Sequence, residues 1–137
     1  MSLDDERLAR VALSQLTEPA DLRLSGLVTE LGAVRVWEHL RAERDLRGMQ
    51  TDIAARLGSI DPHRDLERAA RRGIRYVIPG DPEWPVQLDD LATSVSPIEG
   101  RGGTPLGLWV RGPARLDMLG RAVAVVGSRS CTTYGLD

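Results

Sequence analysis

The 137-residue chain contains no phenylalanine and no lysine, a single cysteine, and aromatic residues amounting to only 4% of the total. Each shortage closes a route. With so few flat side chains, the aromatic platform on which many single-strand nucleic-acid binders stack bases is not visible in the sequence. Cys131 alone cannot form an internal disulfide, which fits a reducing compartment, and at a predicted helix start its default role is packing. His39 and His63 stand apart from each other and from any cysteine at ligand spacing, so no metal site is expected. No set of nucleophile, base and orienter can be assembled, so neither catalysis nor a cofactor is expected. No apolar run approaches the roughly 20 residues of a membrane-spanning helix. The opening Met1-Ser2-Leu3-Asp4-Asp5-Glu6 lacks the basic and apolar stretches of a secretion signal, so a cytoplasmic protein without membrane contact is expected.

What remains is the composition of a globular protein with a packed core: 42% hydrophobic and 28% charged residues. The net charge of -2 means that any contact with nucleic acid must rest on a local basic surface. All 18 cations are arginine, the side chain best shaped for bidentate phosphate contacts.

Apolar residues recur at helical spacing through the first half of the chain. Ser2 and Asp5 form a capping-box pattern ahead of Leu8, Val11, Ala12 and Leu16, which predicts a helix over residues 3–16. Leu24, Leu27, Val28 and Leu31 predict a second, stopped by Gly32, and Val34, Trp37 and Leu40 a third. A short fourth helix is expected from Thr51 to Leu57. A fifth is expected to begin with Asp61 as N-cap and Pro62 in the first turn and to end at Gly73. These stripes predict a bundle over residues 1–72 with Leu8, Leu27, Leu31, Trp37, Leu40 and Leu66 inside. At Gly73 the period changes. Ile74, Tyr76 and Ile78 alternate with Arg75 and Val77 and read as a strand closed by Pro79-Gly80-Asp81-Pro82. A helix near Trp84 to Leu91, a surface loop over residues 93–105, a strand from Leu106 to Val110 and a helical turn from Ala114 to Leu119 follow. Ala122 to Val126 reads as a buried strand of the parallel-sheet type.

That last strand runs into Gly127-Ser128-Arg129, with Thr132 at the start of a further helix. A strand, a tight turn and a helix start make a phosphate cradle: Gly127 admits close backbone approach, Ser128 offers N–H and hydroxyl donors, Arg129 adds a fork-shaped cation, and Thr132 caps the helix whose N–H groups face the anion. An ordinary βα turn with a solvated arginine fits the same residues. The second and third glycines of a dinucleotide fingerprint are missing. Arg64, Arg68, Arg71, Arg72 and Arg75 fall largely on one side of the fifth helix and its exit, as a phosphate-facing surface or as a solvated face paired with Asp61, Asp65 and Glu67. Residues 51–58 followed by the helix at Pro62 also fit a helix-turn-helix.

Val125-Val126-Gly127-Ser128-Arg129, then Thr132, Tyr134 and Gly135, resembles the first strand and loop of the DprA/Smf family of DNA-processing proteins. Upstream, Asp65 to Ala69, Gly73-Ile74, Pro79-Gly80-Asp81-Pro82-Glu83-Trp84-Pro85, Leu88, Leu91 and Leu108-Trp109-Val110-Arg111-Gly112 resemble the approach to that domain. The resemblance implies an α+β to α/β chain: a sterile-alpha-motif-like helical domain over residues 1–72, then the incomplete beginning of a Rossmann-like parallel-sheet domain over 73–137. It implies binding of single-stranded DNA, with Gly127, Ser128, Arg129 and Thr132 in the phosphate pocket, a role in DNA uptake and recombination, and RecA recombinase as partner. A homodimer is left open through Rossmann-like elements beyond Asp137. Because a doubly wound sheet needs further strands, the chain by itself is expected to bind DNA weakly or not at all. Thr17-Glu18-Pro19-Ala20-Asp21 stands where family members often carry a glycine-rich hairpin. The rival from another class is a lysine-decarboxylase-like phosphoribohydrolase, whose Rossmann-like domain also has a strand followed by Gly-Ser.

Overall fold

The computed structural model describes residues 2–19, 21–47, 52–93, 95–96 and 101–127. Five α-helices come first: α1 Leu3–Leu13, α2 Leu22–Leu31, α3 Ala33–Arg47, α4 Asp52–Ser59 and α5 Pro62–Ala70. Their ends follow the local chemistry. The Ser2 hydroxyl accepts from the Asp5 N–H at 3.1 Å, and the Asp5 carboxylate accepts from the Ser2 N–H at 2.9 Å, closing the capping box. The same backbone donor holds the Asp5 carboxyl below its ordinary pKa. Asp21 caps α2 through the N–H groups of Arg23 and Leu24, and Asp61 caps α5 through that of Arg64, with Pro62 in the first turn. Gly32, at φ 84°, ends α2, and Gly73, at φ 66°, turns the chain out of α5.

Helix α1 is the axis of the fold, because its two sides enter two different cores. Ala9 and Leu13 pack with Leu24 and Val28 of α2 and Ala33 and Val36 of α3, and Trp37 and Leu40 are partly buried against this cluster. Val11, fully buried, packs on the other side with Tyr76 and Ile78, and Leu66 of α5 closes that second cluster. The stripe on α2 divides. Leu24 and Val28 go inside, whereas Leu27 and Leu31, expected in the core, are 46% and 49% exposed. The two (i, i+4) pairs lie side by side on the helix, and only the Leu24 and Val28 side meets α1 and α3 among the described residues. Leu8 is half-buried.

Strand β1 (Ile74–Val77) follows Gly73 as expected. Its partner is β4 (Leu108–Arg111), and the two run antiparallel, with Tyr76 opposite Trp109 and Val77 opposite Leu108. A second ladder joins β2 (Val95–Ser96) to β3 (Arg101–Gly102) within the segment expected to be only a loop. A 3₁₀ piece, Val86–Thr93, stands in place of the expected helix, and a shorter one, Leu116–Leu119, forms the expected helical turn. The architecture is thus mixed α+β, mostly helical with small two-stranded antiparallel sheets, and the expected parallel sheet is not formed among the described residues. Ala122 to Val126, read as a buried strand, has no regular structure, and Val123, Val125 and Val126 are 87%, 95% and 90% exposed. A strand exists only with a hydrogen-bonding neighbour, and none of the described residues supplies one here.

Polar contacts rivet the hairpin to the bundle. The Arg7 guanidinium donates to the Asp81 carboxylate at 2.7 Å, and Asp81 also accepts the Ile78 N–H at 2.8 Å, so one carboxylate shapes the Pro-Gly-Asp turn and docks it on α1. Arg10 pairs with Glu6 and donates to the Leu106 carbonyl at 2.9 Å. Gly107 has no room for a side chain: a Cβ there would lie 2.4 Å from the ring of Tyr76.

Candidate nucleic-acid interface

Of the residues expected to hold phosphate, only Gly127 is described. It is exposed, and a Cβ added to it would meet nothing within 4 Å. Ser128, Arg129 and Thr132, with Cys131, lie outside the described residues. The arginines around α5 fare differently from one another. Arg75 is committed to structure: it grips Glu83 through two hydrogen bonds of 2.5 and 2.9 Å and donates to the carbonyls of Gly112 and Ala114, both at 2.7 Å. That grip holds the Glu83 carboxyl below the ordinary carboxylate range and raises the Arg75 guanidinium. Arg71 reaches Glu67 at 3.5 Å along the exposed helix face. Arg64, Arg68 and Arg72 are exposed and carry no ion pair among the described residues.

Arg68 and Arg72 line a hollow of about 350 Å³ between the C-terminal ends of α1 and α5 and strand β4. Ser14, Gln15, Asp65 and Trp109 also line it. A second hollow, about 270 Å³, opens toward the α1–α2 connection and the 104–107 loop, and Ser14 and Trp109 line that one too. Trp109 therefore stands between the two. Its ring lies 4.6 Å from that of Tyr76 at a tilt of 52°, and it remains 47% exposed. The Tyr76 ring beneath it is buried, and burial pushes its phenol pKa up. An exposed aromatic face does exist, although composition showed no platform. The alternation in Leu108-Trp109-Val110-Arg111 was the available signal, since it puts Trp109 and Arg111 on one side of the strand. His39 pairs with Glu43 at 3.5 Å on an exposed helix face, and no group of three or more histidine, cysteine or acidic side chains could hold a metal ion among the described residues. No helix among them is long and apolar enough to cross a membrane.

Arg68 and Arg72, without an ion pair among the described residues, thus stand beside an exposed aromatic ring. Over 136 residues, 97% of its length, the chain is 38% identical to the protein of Mycobacterium tuberculosis named "Putative DNA processing protein DprA", in each of two strains. It is homologous to part of DprA and spans about a third of the length of these curated relatives, 35% of each. No family model matches the chain, and no solved structure matches it.

Proposed function

We propose that this chain is part of a DprA-type recombination mediator that binds single-stranded DNA without catalysing a reaction on it. The observation that carries the reading is the 38% identity with DprA over 97% of the chain, beside which stands the ordered resemblance from Asp65 to Gly135. In this reading residues 1–72 form the sterile-alpha-motif-like helical unit and residues 73–137 open a Rossmann-like unit. Gly127, Ser128, Arg129 and Thr132 contact DNA phosphate, RecA recombinase receives the strand, and the protein works in the cytoplasm. The exposed valines from Val123 to Val126 support the second unit: an apolar segment with strand-forming residues and no cover is suited to join a sheet built from elements beyond those described.

The test is Arg129→Ala in the protein extended to the length of its relatives, read by fluorescence polarisation with labelled oligothymidine and mixed-sequence strands. A phosphate contact carries no base information, so affinity should fall about equally for all sequences, and the slope of log affinity against log salt should fall by roughly 0.7. Unchanged affinity and slope would remove Arg129 from the site.

A further inference from the structure

We infer that the hollow between α1, α5 and β4 is a second contact point for single-stranded nucleic acid, in which Trp109 stacks on a base and Arg68 and Arg72 hold the flanking phosphates. The inference rests on the proposed single-strand binding but on none of the phosphate-loop residues. Three observations carry it. First, Trp109 is held from one side by the buried Tyr76 ring and by its place in the β1–β4 ladder, yet stays 47% exposed toward a hollow of about 350 Å³. A rigid, half-open indole face suits a flat ligand, because little side-chain freedom is lost when something stacks on it. Second, Arg68 and Arg72 stand one turn apart on the same wall, and neither has a carboxylate within ion-pair distance among the described residues. Third, the one acidic side chain lining the hollow, Asp65, is held by the Gln15 amide at 2.9 Å and makes no ion pair with either arginine. The hollow thus pairs a π-face with two cations, the combination with which nonspecific single-strand binders track bases and backbone. Duplex DNA keeps its bases stacked on one another and offers no free face to Trp109.

All of the hollow lies in this chain, so the chain itself is the test object. Titration with oligothymidine at low salt should quench tryptophan fluorescence, because Trp84 is buried and Trp37 partly so, whereas Trp109 is open. Trp109→Phe should keep binding, measured by polarisation of a labelled strand, and abolish most of the quenching. Trp109→Leu should weaken binding about 5- to 150-fold, the cost of one lost base stack. Arg68→Ala with Arg72→Ala, at exposed positions that do not burden folding, should lower the salt slope by about 1.4 for two lost phosphate contacts. Four outcomes overturn the inference. They are no binding at low salt, binding without quenching that only Arg129→Ala weakens, equal affinity for duplex of the same length, or equal quenching by polyglutamate, which would place an acidic protein there instead. The second of these would leave the phosphate loop standing while removing the hollow. Loss of the Arg129 effect with the Trp109 effect intact would do the reverse.

Discussion

Residues 74–78 and 122–126 are both short runs of strand-forming apolar residues, and their fates are opposite. Ile74 to Val77 pairs with β4, lies over α1, and carries Tyr76, Val77 and Ile78 into the interior. Ala122 to Val126 has no partner and leaves three valines almost wholly in solvent. Hydrophobicity cannot explain the contrast, since the second run is the more apolar and carries as many β-branched residues as the first, three in each. What differs is the supply of neighbours. The first run finds a complementary strand in the same chain and a helix to cover one face, with Arg7 and Arg10 anchoring the connections at either end. A β-branched apolar run is a half-finished element, and the rest must come from its surroundings.

The contrast can be broken from the buried side. Removing everything after residue 72 takes Tyr76 and Ile78 away from Val11 and Leu66, each of which gains about 1.5–3 kcal/mol when fully buried. The 1–72 fragment should still melt cooperatively, because nearly all of the first core lies within it, but well below the melting temperature of residues 1–119. Circular dichroism of the two fragments checks this. Equal transitions would mean that the hairpin contributes nothing to the bundle, and a 1–72 fragment with no transition would dissolve the proposed helical unit. Next in size, Ile78→Ala should cost about 2–5 kcal/mol in urea unfolding, since its side chain is fully buried beneath the turn.

A smaller effect is expected at the Arg75 to Glu83 clamp, which ties β1 to the turn after it and to the carbonyls following β4. Glu83 has a folded pKa below its ordinary 4.5, chiefly because of the hydrogen bonds from Arg75. Its stabilising contribution is therefore fully present above that ordinary value and disappears as pH falls through the depressed one. Glu83→Gln should melt below the parent at neutral pH, and the two curves should converge in acid. A gap that persists in acid would assign the loss to packing rather than charge. The smallest effect should come from the other run: Val125→Asp should change stability by no more than about 0.5 kcal/mol, as for most exposed positions. A larger loss would show that Val125 is packed in solution and that the contrast between the runs is false.

The starts of the helices could be read in the chain because they are set by neighbours three or four residues away, whereas α1 ends at Leu13, short of the expected residue 16. Ser2 with Asp5, Asp61 with Pro62, and Gly32 and Gly73 as stops all act where their pattern places them. The existence of β1 could be read as well, from its alternation and the Pro-Gly-Asp turn. The sequence also carries the motifs by which DprA homology was anticipated, while the phosphate loop from Ser128 onward lies outside the described residues and keeps its role as a proposal. Tertiary structure alone decided which half of the α2 stripe is buried, that β1 takes β4 as an antiparallel partner, that Arg75 is locked to Glu83 while Arg68 and Arg72 stay open, and that Trp109 is left as a free aromatic face. Those outcomes depend on contacts such as Arg7 with Asp81 and Arg10 with Leu106, 74 and 96 positions apart. A local pattern specifies which face of an element is apolar; only the packed chain settles which neighbour arrives to cover it and what is left in water.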